Sequence, residues 1–494
     1  MVDEARLQDE LGPSPRVFLV EYTNKTQTYS ENIFQVDVQN LEEIRNVLKA
    51  ARTLGLRVRA VGGGYNPIAL CPDRGQIQLR LHDLKRFDGP RLELHEGFDK
   101  FGFRTMTVAS GVSQEDMMDF FLNHKLYLPG TSKQSSLQAM DLITTPQHAS
   151  FPGHKCASAY ASQIRFVDSG GRLRVISDEN PDAMSFMRCN LGLSGLIYDI
   201  TFRLRPLIHV EVNDAFDDVE SVLLDTNALK STLAEGMATE IYWFPYNSCH
   251  FGKDWEPEDD KVWVKSILPA QSTEELTERQ LDFEQTFTFY PDQFSQLTPE
   301  VLVGATRRGA MMTSRMLDCR GETTQKVTDA IYSWPEKHPF PSHSFGFSFP
   351  LDEDLDIVKD VIKMLCTQLK RFNKQNKYPI NLMIQVQFSG GCESFLGPVT
   401  GNGGKALHVY LLSILGTEGW DEFTGALAAD WMHVTSARPC WDTEWSTVPN
   451  MRTFLLKNMK KELTKFKTAR KELEIDRHNL FMNNSIQQLL YAES

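Results

Sequence analysis

The chain has 494 residues, of which 41% are hydrophobic, 10% aromatic and 24% charged, the make-up of a folded globular protein. A single core rarely grows beyond about 250–300 residues, so at least two domains are expected. The charge sum of 52 − 65 = −13 argues against nucleic acid or an anionic membrane as the main ligand, while leaving room for a local anion site.

The opening MVDEARLQDELGPSP is acidic and lacks a basic stretch followed by an apolar core, so no secretory or transit signal is expected and the location expected is cytoplasmic. Apolar runs such as HVYLLSILG fall well short of the ~20 residues that span a bilayer, so no membrane span is expected. The eight cysteines show no CxxC spacing, which suggests neither a metal site nor a disulfide framework.

In chain order, QNLEEIRNVLKAARTLGL carries Leu41, Ile44, Val47, Leu48 and Ala51 on one helical face and ends at Gly55. RVRAV reads as a strand that runs into Gly62, Gly63 and Gly64, then a Pro-containing loop, then the strand IQLRL. MTVASGV is a strand leading to a helix over SQEDMMDFFLNHKL, with Ser113 placed as its cap and Asp116 as a first-turn acid. Residues 157–205 read strand, turn, strand, helix, strand, and stop at Pro206. From 208 to about 430, strands (VEVNDAF, TEIYWFP, KVWVKSIL, INLMIQVQF, LHVYLLSIL) mix with helices at 274–287 and 352–373, an α+β unit. A glycine-rich loop lies between Gly390 and Lys405, and loops of that kind are often functional. The tail from Met451 is helical and basic.

A glycine run after a strand lets backbone N–H groups approach a pyrophosphate without Cβ obstruction. This run is followed by a loop and a strand rather than a helix, so it is not the Rossmann fingerprint. In order along the chain stand VGGGYNPIALCPDRG, VASGV, a loop ending QHAS, NLGLSGLIYDITFRLRP, WFP, ARPCWDT and EIDRHNLFMN. This series resembles the vanillyl-alcohol-oxidase class of flavoproteins, and within it the gulonolactone and arabinonolactone oxidases. The resemblance implies an α+β architecture: a PCMH-type FAD-binding domain of two α/β subdomains at 31–207, after an N-terminal extension (1–30). A cap or substrate domain would follow at 208–430, and a C-terminal segment (431–494) would return to the FAD domain. It implies FAD as cofactor and a small-molecule substrate. It places Val61, Gly62, Gly63, Gly64, Tyr65, Asn66, Pro67, Gly111, Gly192, Gly195 and Ile197 around FAD, with Tyr65 and His148 on the flavin. Gln385, Gln387, Arg438 and His148 would face the substrate.

The chain departs from the family at several of these positions. Tyr65 stands where the family's histidine binds flavin covalently. The family's TVGG becomes Gln138, Ala139, Met140 and Asp141, and an ionised Asp141 beside a diphosphate would be repulsive. The family's Glu-x-Arg pair on a cap strand becomes Gln385 and Gln387, which hydrogen-bond but carry no charge and cannot act as a base. Cys440 and Thr443 replace a histidine and a lysine. Asp442 and Glu444 are candidate substitute acid/base groups, or simply a solvated pair. Two readings follow: an FAD-dependent oxidoreductase acting on a C–H bearing a hydroxyl, with oxygen or another acceptor, and a non-redox descendant of the fold that binds a ligand, shapes a cyclisation or scaffolds a partner.

Overall fold

The computed structural model describes residues 2–65, 67–131, 134, 136–248, 254–270, 323–327, 341–399 and 404–491. The helix expected at 274–287 lies outside the described residues, as does Asn66.

Three sheets carry the architecture. The first is four-stranded, in the order β1-β2-β4-β3, with β1 (Val17–Thr23), β2 (Ser30–Asp37), β3 (Val58–Ala60) and β4 (Ile77–Arg80). β1 and β2 form an antiparallel hairpin, whereas β2, β4 and β3 run parallel. The helix Leu41–Leu54 makes the crossover: Asn40 caps it by accepting from the Glu43 amide, and Gly55 ends it in the left-handed region at φ 67°. The residues before 31 supply the strand β1, paired with β2, and the helix Glu4–Leu11, which buries Leu7 and Leu11.

The second sheet has the order β5-β6-β10-β8-β9, with β7 against β10. Its strands are β5 (Leu92–Leu94), β6 (Arg104–Ala109), β7 (Leu126–Tyr127), β8 (Ala161–Val167), β9 (Leu173–Ser177) and β10 (Leu196–Pro206). The helix Gln114–Asn123 follows β6, capped as expected by Ser113, whose hydroxyl accepts from the Asp116 amide and donates to its carboxylate.

The third sheet is eight-stranded and antiparallel, in the order β14-β11-β13-β12-β16-β17-β15-β18. It contains β11 (His209–Asp218), β12 (Ala238–Trp243), β13 (Lys261–Pro269), β14 (Thr323–Lys326), β15 (Ser342–Pro350), β16 (Met383–Gly390), β17 (Lys405–Ile414) and β18 (Arg438–Pro439). On one face Phe345, Phe347, Phe349, Val386 and Val409 are buried with residues of the helices Asp356–Asn373 and Trp420–Trp431; Trp431 packs against all three phenylalanines. The opposite face carries a polar strip between two apolar clusters, one around Phe244, Trp263 and Met383 and one that packs Val210, Val212 and Ile267 with Tyr127 of β7. Because β18 is an edge strand of this sheet, the segment after 430 first completes the cap and only then returns to the first sheet. There Leu480 accepts from the Val58 amide, and Asn483 donates to the Ala69 and Cys71 carbonyls.

Gly111 sits where two backbones nearly touch: a Cβ there would lie 1.7 Å from the Leu81 carbonyl oxygen. Gly111→Ala should therefore destabilise the fold by about 3 kcal/mol or more, beyond ordinary overpacking because backbone must move. Urea unfolding measures this, and a loss under ~1 kcal/mol would mean that the Gly111 turn parts from Leu81 easily.

Candidate functional site

Antiparallel register sets a row of polar residues across the inner face of the cap sheet. Lys265 pairs with Glu240, Glu240 with Gln387, Gln387 with His408, His408 with Ser348 and Ser348 with Arg438. Two residues along, on the same face, a second row runs Trp263, Tyr242, Gln385, Tyr410 and Gly346. Every member of the first row is buried, so each polar group needs a partner. Tyr242 donates to Glu240 at 2.8 Å, and the Lys265 ammonium lies 3.7 Å from the same carboxylate.

The loop following Asp141–Thr144 closes over this face. His148 bonds the Tyr410 hydroxyl at 2.9 Å and stacks on His408 with ring centroids 3.6 Å apart. Ser150 is stitched to both cap strands beneath it, donating to the Thr239 carbonyl and accepting from the Phe388 amide. His408 is held at both ring nitrogens, by Ser348 at 2.8 Å and Ser389 at 2.7 Å. Since Ser389 donates onward to the Gly390 carbonyl, the hydrogen-bond pattern assigns the His408 proton to Nε2. Burial keeps this imidazole neutral, with a pKa well below the usual 6.5. Cys440 meets Ser348 at 3.4 Å, and burial pushes its thiol up, which argues against a reactive thiolate.

The structure therefore brings His148, Gln385 and Gln387 to one face. Arg438 is on the same sheet, but its guanidinium is engaged elsewhere: it donates to the Gly397 carbonyl at 2.5 Å and pairs with Glu462 at 3.3 Å. With Trp441, which donates to Leu396, it clamps the loop after Gly390 onto the C-terminal helices. Glu444 is bonded by His343 at 3.0 Å. Asp442 differs: although partly accessible, it is enclosed enough that desolvation raises its pKa from 3.8 to about 6. A carboxyl titrating near neutrality beside Tyr410 and Cys440 is a candidate acid/base group. Sequence reading missed Glu240, Lys265, His408 and Tyr410. The available signal was a charged residue inside each of the apolar strands TEIYWFP and KVWVKSIL.

The glycine run of the first loop lies against the segment that leads into Asp141. A Cβ on Gly63 would meet the Ser136 carbonyl at 2.8 Å, and one on Gly62 would meet both Asp141 carboxylate oxygens at 2.2 Å. The Gly63 amide donates to Asp141 at 2.7 Å and the Gln138 amide at 2.9 Å. Burial is the largest influence on Asp141 and raises its pKa above the usual carboxylate value, with the two amide donors and Lys25 acting against it. Gly64, at φ 83°, accepts from the Lys25 amide, and the Lys25 ammonium sits 4.5 Å over the Tyr65 ring. Val61 and Pro67 are buried, and the Pro67 carbonyl accepts from the Leu70 amide and the Cys71 thiol. Across the groove Gly192, at φ 74°, leaves space for the Arg59 guanidinium, 3.0 Å from where a Cβ would stand; Gly195 backs onto the Val167 carbonyl. Arg59, Asp141, Thr144, Asn190, Gly192 and Ile197 line a small cavity here.

The FAD implied by the resemblance can be tested against this loop. A diphosphate held by the glycine amides would have to occupy the place of the Asp141 carboxylate, and like charges at such a distance repel strongly. The residues as they stand do not fit a diphosphate there: Gly62 and Gly63 are required by protein packing, and so are Gly111 and Gly195.

A twisted α/β pair of sheets under an antiparallel cap, with a glycine turn at the end of β3, is the architecture of the vanillyl-alcohol-oxidase class of flavoproteins. Solved structures bear this out for the fold. Cholesterol oxidase from B. sterolicum matches 97% of this chain and 99% of its own at a TM-score of 0.74 and 14% identity, and a solvent-stable cholesterol oxidase gives a TM-score of 0.77 at 13% identity. No family model matches the sequence. The chain is a distant homologue of the sugar-lactone oxidases: it is 25% identical over 221 residues to D-arabinono-1,4-lactone oxidase of Candida albicans, covering 43% of this chain and 38% of that protein. It is 24% identical over 234 residues to L-gulonolactone oxidase of Bos taurus, covering 46% and 49%. The matched stretch thus spans about half or less of the length of these relatives. Among the described residues no helix is long and apolar enough to cross a membrane, and no group of three or more His, Cys, Asp or Glu could hold a metal ion.

Because Asp442 is neutral when folded and ionised when unfolded between pH 3.8 and about 6, unfolding releases its proton there and its contribution to stability falls as pH rises. Asp442→Asn removes that loss. The variant should match the wild type near pH 4 and exceed it at pH 7 by about 1–3 kcal/mol in denaturant unfolding; a difference that does not change with pH would show that Asp442 is solvated.

Proposed function

We propose that the chain is a catalytically altered descendant of the lactone-oxidase class that binds a small hydroxylated molecule on the polar face of the cap sheet without flavin-mediated oxidation. The observation that carries this reading is the neutral pair Gln385 and Gln387 at the positions of the family's Glu-x-Arg, set beside the buried Glu240 and Lys265 on neighbouring strands. Amides, a carboxylate, an ammonium and the Tyr242 and Tyr410 hydroxyls suit a polyol or lactone, whose hydroxyls each donate and accept. With Arg438 engaged by Gly397 and Glu462 and the Lys265 ammonium paired with Glu240, the face offers little uncompensated positive charge to stabilise an anion developing during hydride transfer. His148 positions the closing loop through Tyr410 and His408, and Asp442 supplies a group able to hold or release a proton near neutrality.

A second reading, FAD-dependent oxidation of a CH–OH group by hydride transfer to flavin with oxygen or another acceptor, is favoured by the likeness to the lactone oxidases and by His148 lying on the cap face. D-arabinono-1,4-lactone and L-gulonolactone are the ligands to try first.

The two readings separate on one preparation. Under the first, the purified protein is colourless, its melting temperature rises with millimolar lactone, no hydrogen peroxide forms, and Glu240→Gln removes the melting shift. A yellow protein that consumes oxygen on adding lactone would instead establish the oxidase reading.

A further inference from the structure

Successive backbone N–H groups at a glycine turn form a concave site of partial positive charge that seeks an anion. In this chain the anion comes from the chain itself. Asp141, first residue of the short helix Asp141–Thr144, places its carboxylate over Gly62 and takes the Gly63 and Gln138 amides at 2.7 and 2.9 Å. We infer that Asp141 is the built-in acceptor of the Gly63 amide, its carboxylate packed against Gly62 and shared with the Gln138 amide of its own segment, so that this loop excludes a dinucleotide diphosphate and the chain folds around its own carboxylate.

The segment that delivers Asp141 is fixed on both sides. Leu137 accepts from the Gln114 amide, Ala139 donates to Val112, Met140 donates to Ser110, and Ser113 bridges Gln138. Rotating the carboxylate away would strip two buried amides of their acceptor, and sliding the segment would break its strap to the strand β6 and the helix that follows it. Lys25 supports the arrangement from above: its ammonium bonds Ser136 at 3.0 Å, and its charge favours the ionised Asp141. On the far side of the groove the Arg59 guanidinium fills the space that Gly192 leaves open, and its three donors reach the Leu70, Leu191 and Phe481 carbonyls. The groove is therefore flanked by one internal anion and one internal cation, each held mainly by main-chain groups.

This inference rests on the flavin-independent reading but can fail on its own. The full chain is compared with Asp141→Ala and Asp141→Ser, using inorganic pyrophosphate and FAD as probes in melting experiments and FAD fluorescence as a second readout. Wild type should show no melting shift with either probe and no quenching of FAD fluorescence. Asp141→Ala should melt about 5 °C lower and regain several degrees with millimolar pyrophosphate; if it does not fold, Asp141→Ser is read the same way. A wild type that ignores both probes, with variants that respond no better, would overturn the role given to Asp141 while leaving the flavin-independent reading standing. A wild type that binds FAD tightly, with binding unchanged or weakened in the variants, would overturn both.

Discussion

The contact on which the rest of this molecule depends is the buried guanidinium of Arg59. It stands on β3 and binds carbonyls from three distant segments: Leu70 in the first loop, Leu191 in the turn before β10, and Phe481 in the returning tail. Burial lowers its pKa only to about 10, so it stays charged at neutrality. A cation removed from water is tolerated only where its donors are satisfied, so the three segments are obliged to meet at one point. That meeting sets the spacing between the glycine run and the turn at Gly192, and thereby the width of the groove. The C-terminal segment completes the first sheet because its main chain is one side of this cage.

Much of the framework could be read from periodicity and capping. Gly55, Ser113 and Asp116 stand at the helix boundaries their chemistry predicts, and INLMIQVQF and LHVYLLSIL form strands as expected. The strand Ser342–Pro350 was missed although SFGFSF alternates strictly; its phenylalanines build the core against Trp431, while Ser344, Gly346 and Ser348 turn to the cap face.

Legibility at the candidate site divides along the same line. Positions on a single strand, such as Gln385 and Gln387, follow from a motif and its period. Groups assembled across strands do not, because register is a tertiary property: Lys265, Glu240, Gln387 and His408 lie far apart in sequence and become neighbours only through antiparallel pairing. Arg438 illustrates the converse. Its block was recognisable, but which way a long side chain turns depends on nearby acceptors, here the Gly397 carbonyl and Glu462.

The altered positions also share a physical logic. Where a cofactor's anion would neutralise glycine amides, leaving one bare would cost about 1–3 kcal/mol; Asp141 satisfies that of Gly63 from within the chain, together with the Gln138 amide. Where a charged pair on one cap strand would orient hydroxyls, the residues there are amides, and a carboxylate and an ammonium stand on the two adjacent strands of the same face. In both places the charge is relocated into the protein rather than deleted. That difference matters for mechanism: a deleted charge leaves a cavity that an exogenous ion can refill, whereas an internal charge, bonded by fixed amides and strands, competes at high effective concentration with any incoming group. A fold built this way keeps the groove beside Arg59 and Asp141 separate from the polar strip of the cap sheet, where Glu240, Gln387 and Tyr410 find their partners within the cap sheet and the loop that closes over it.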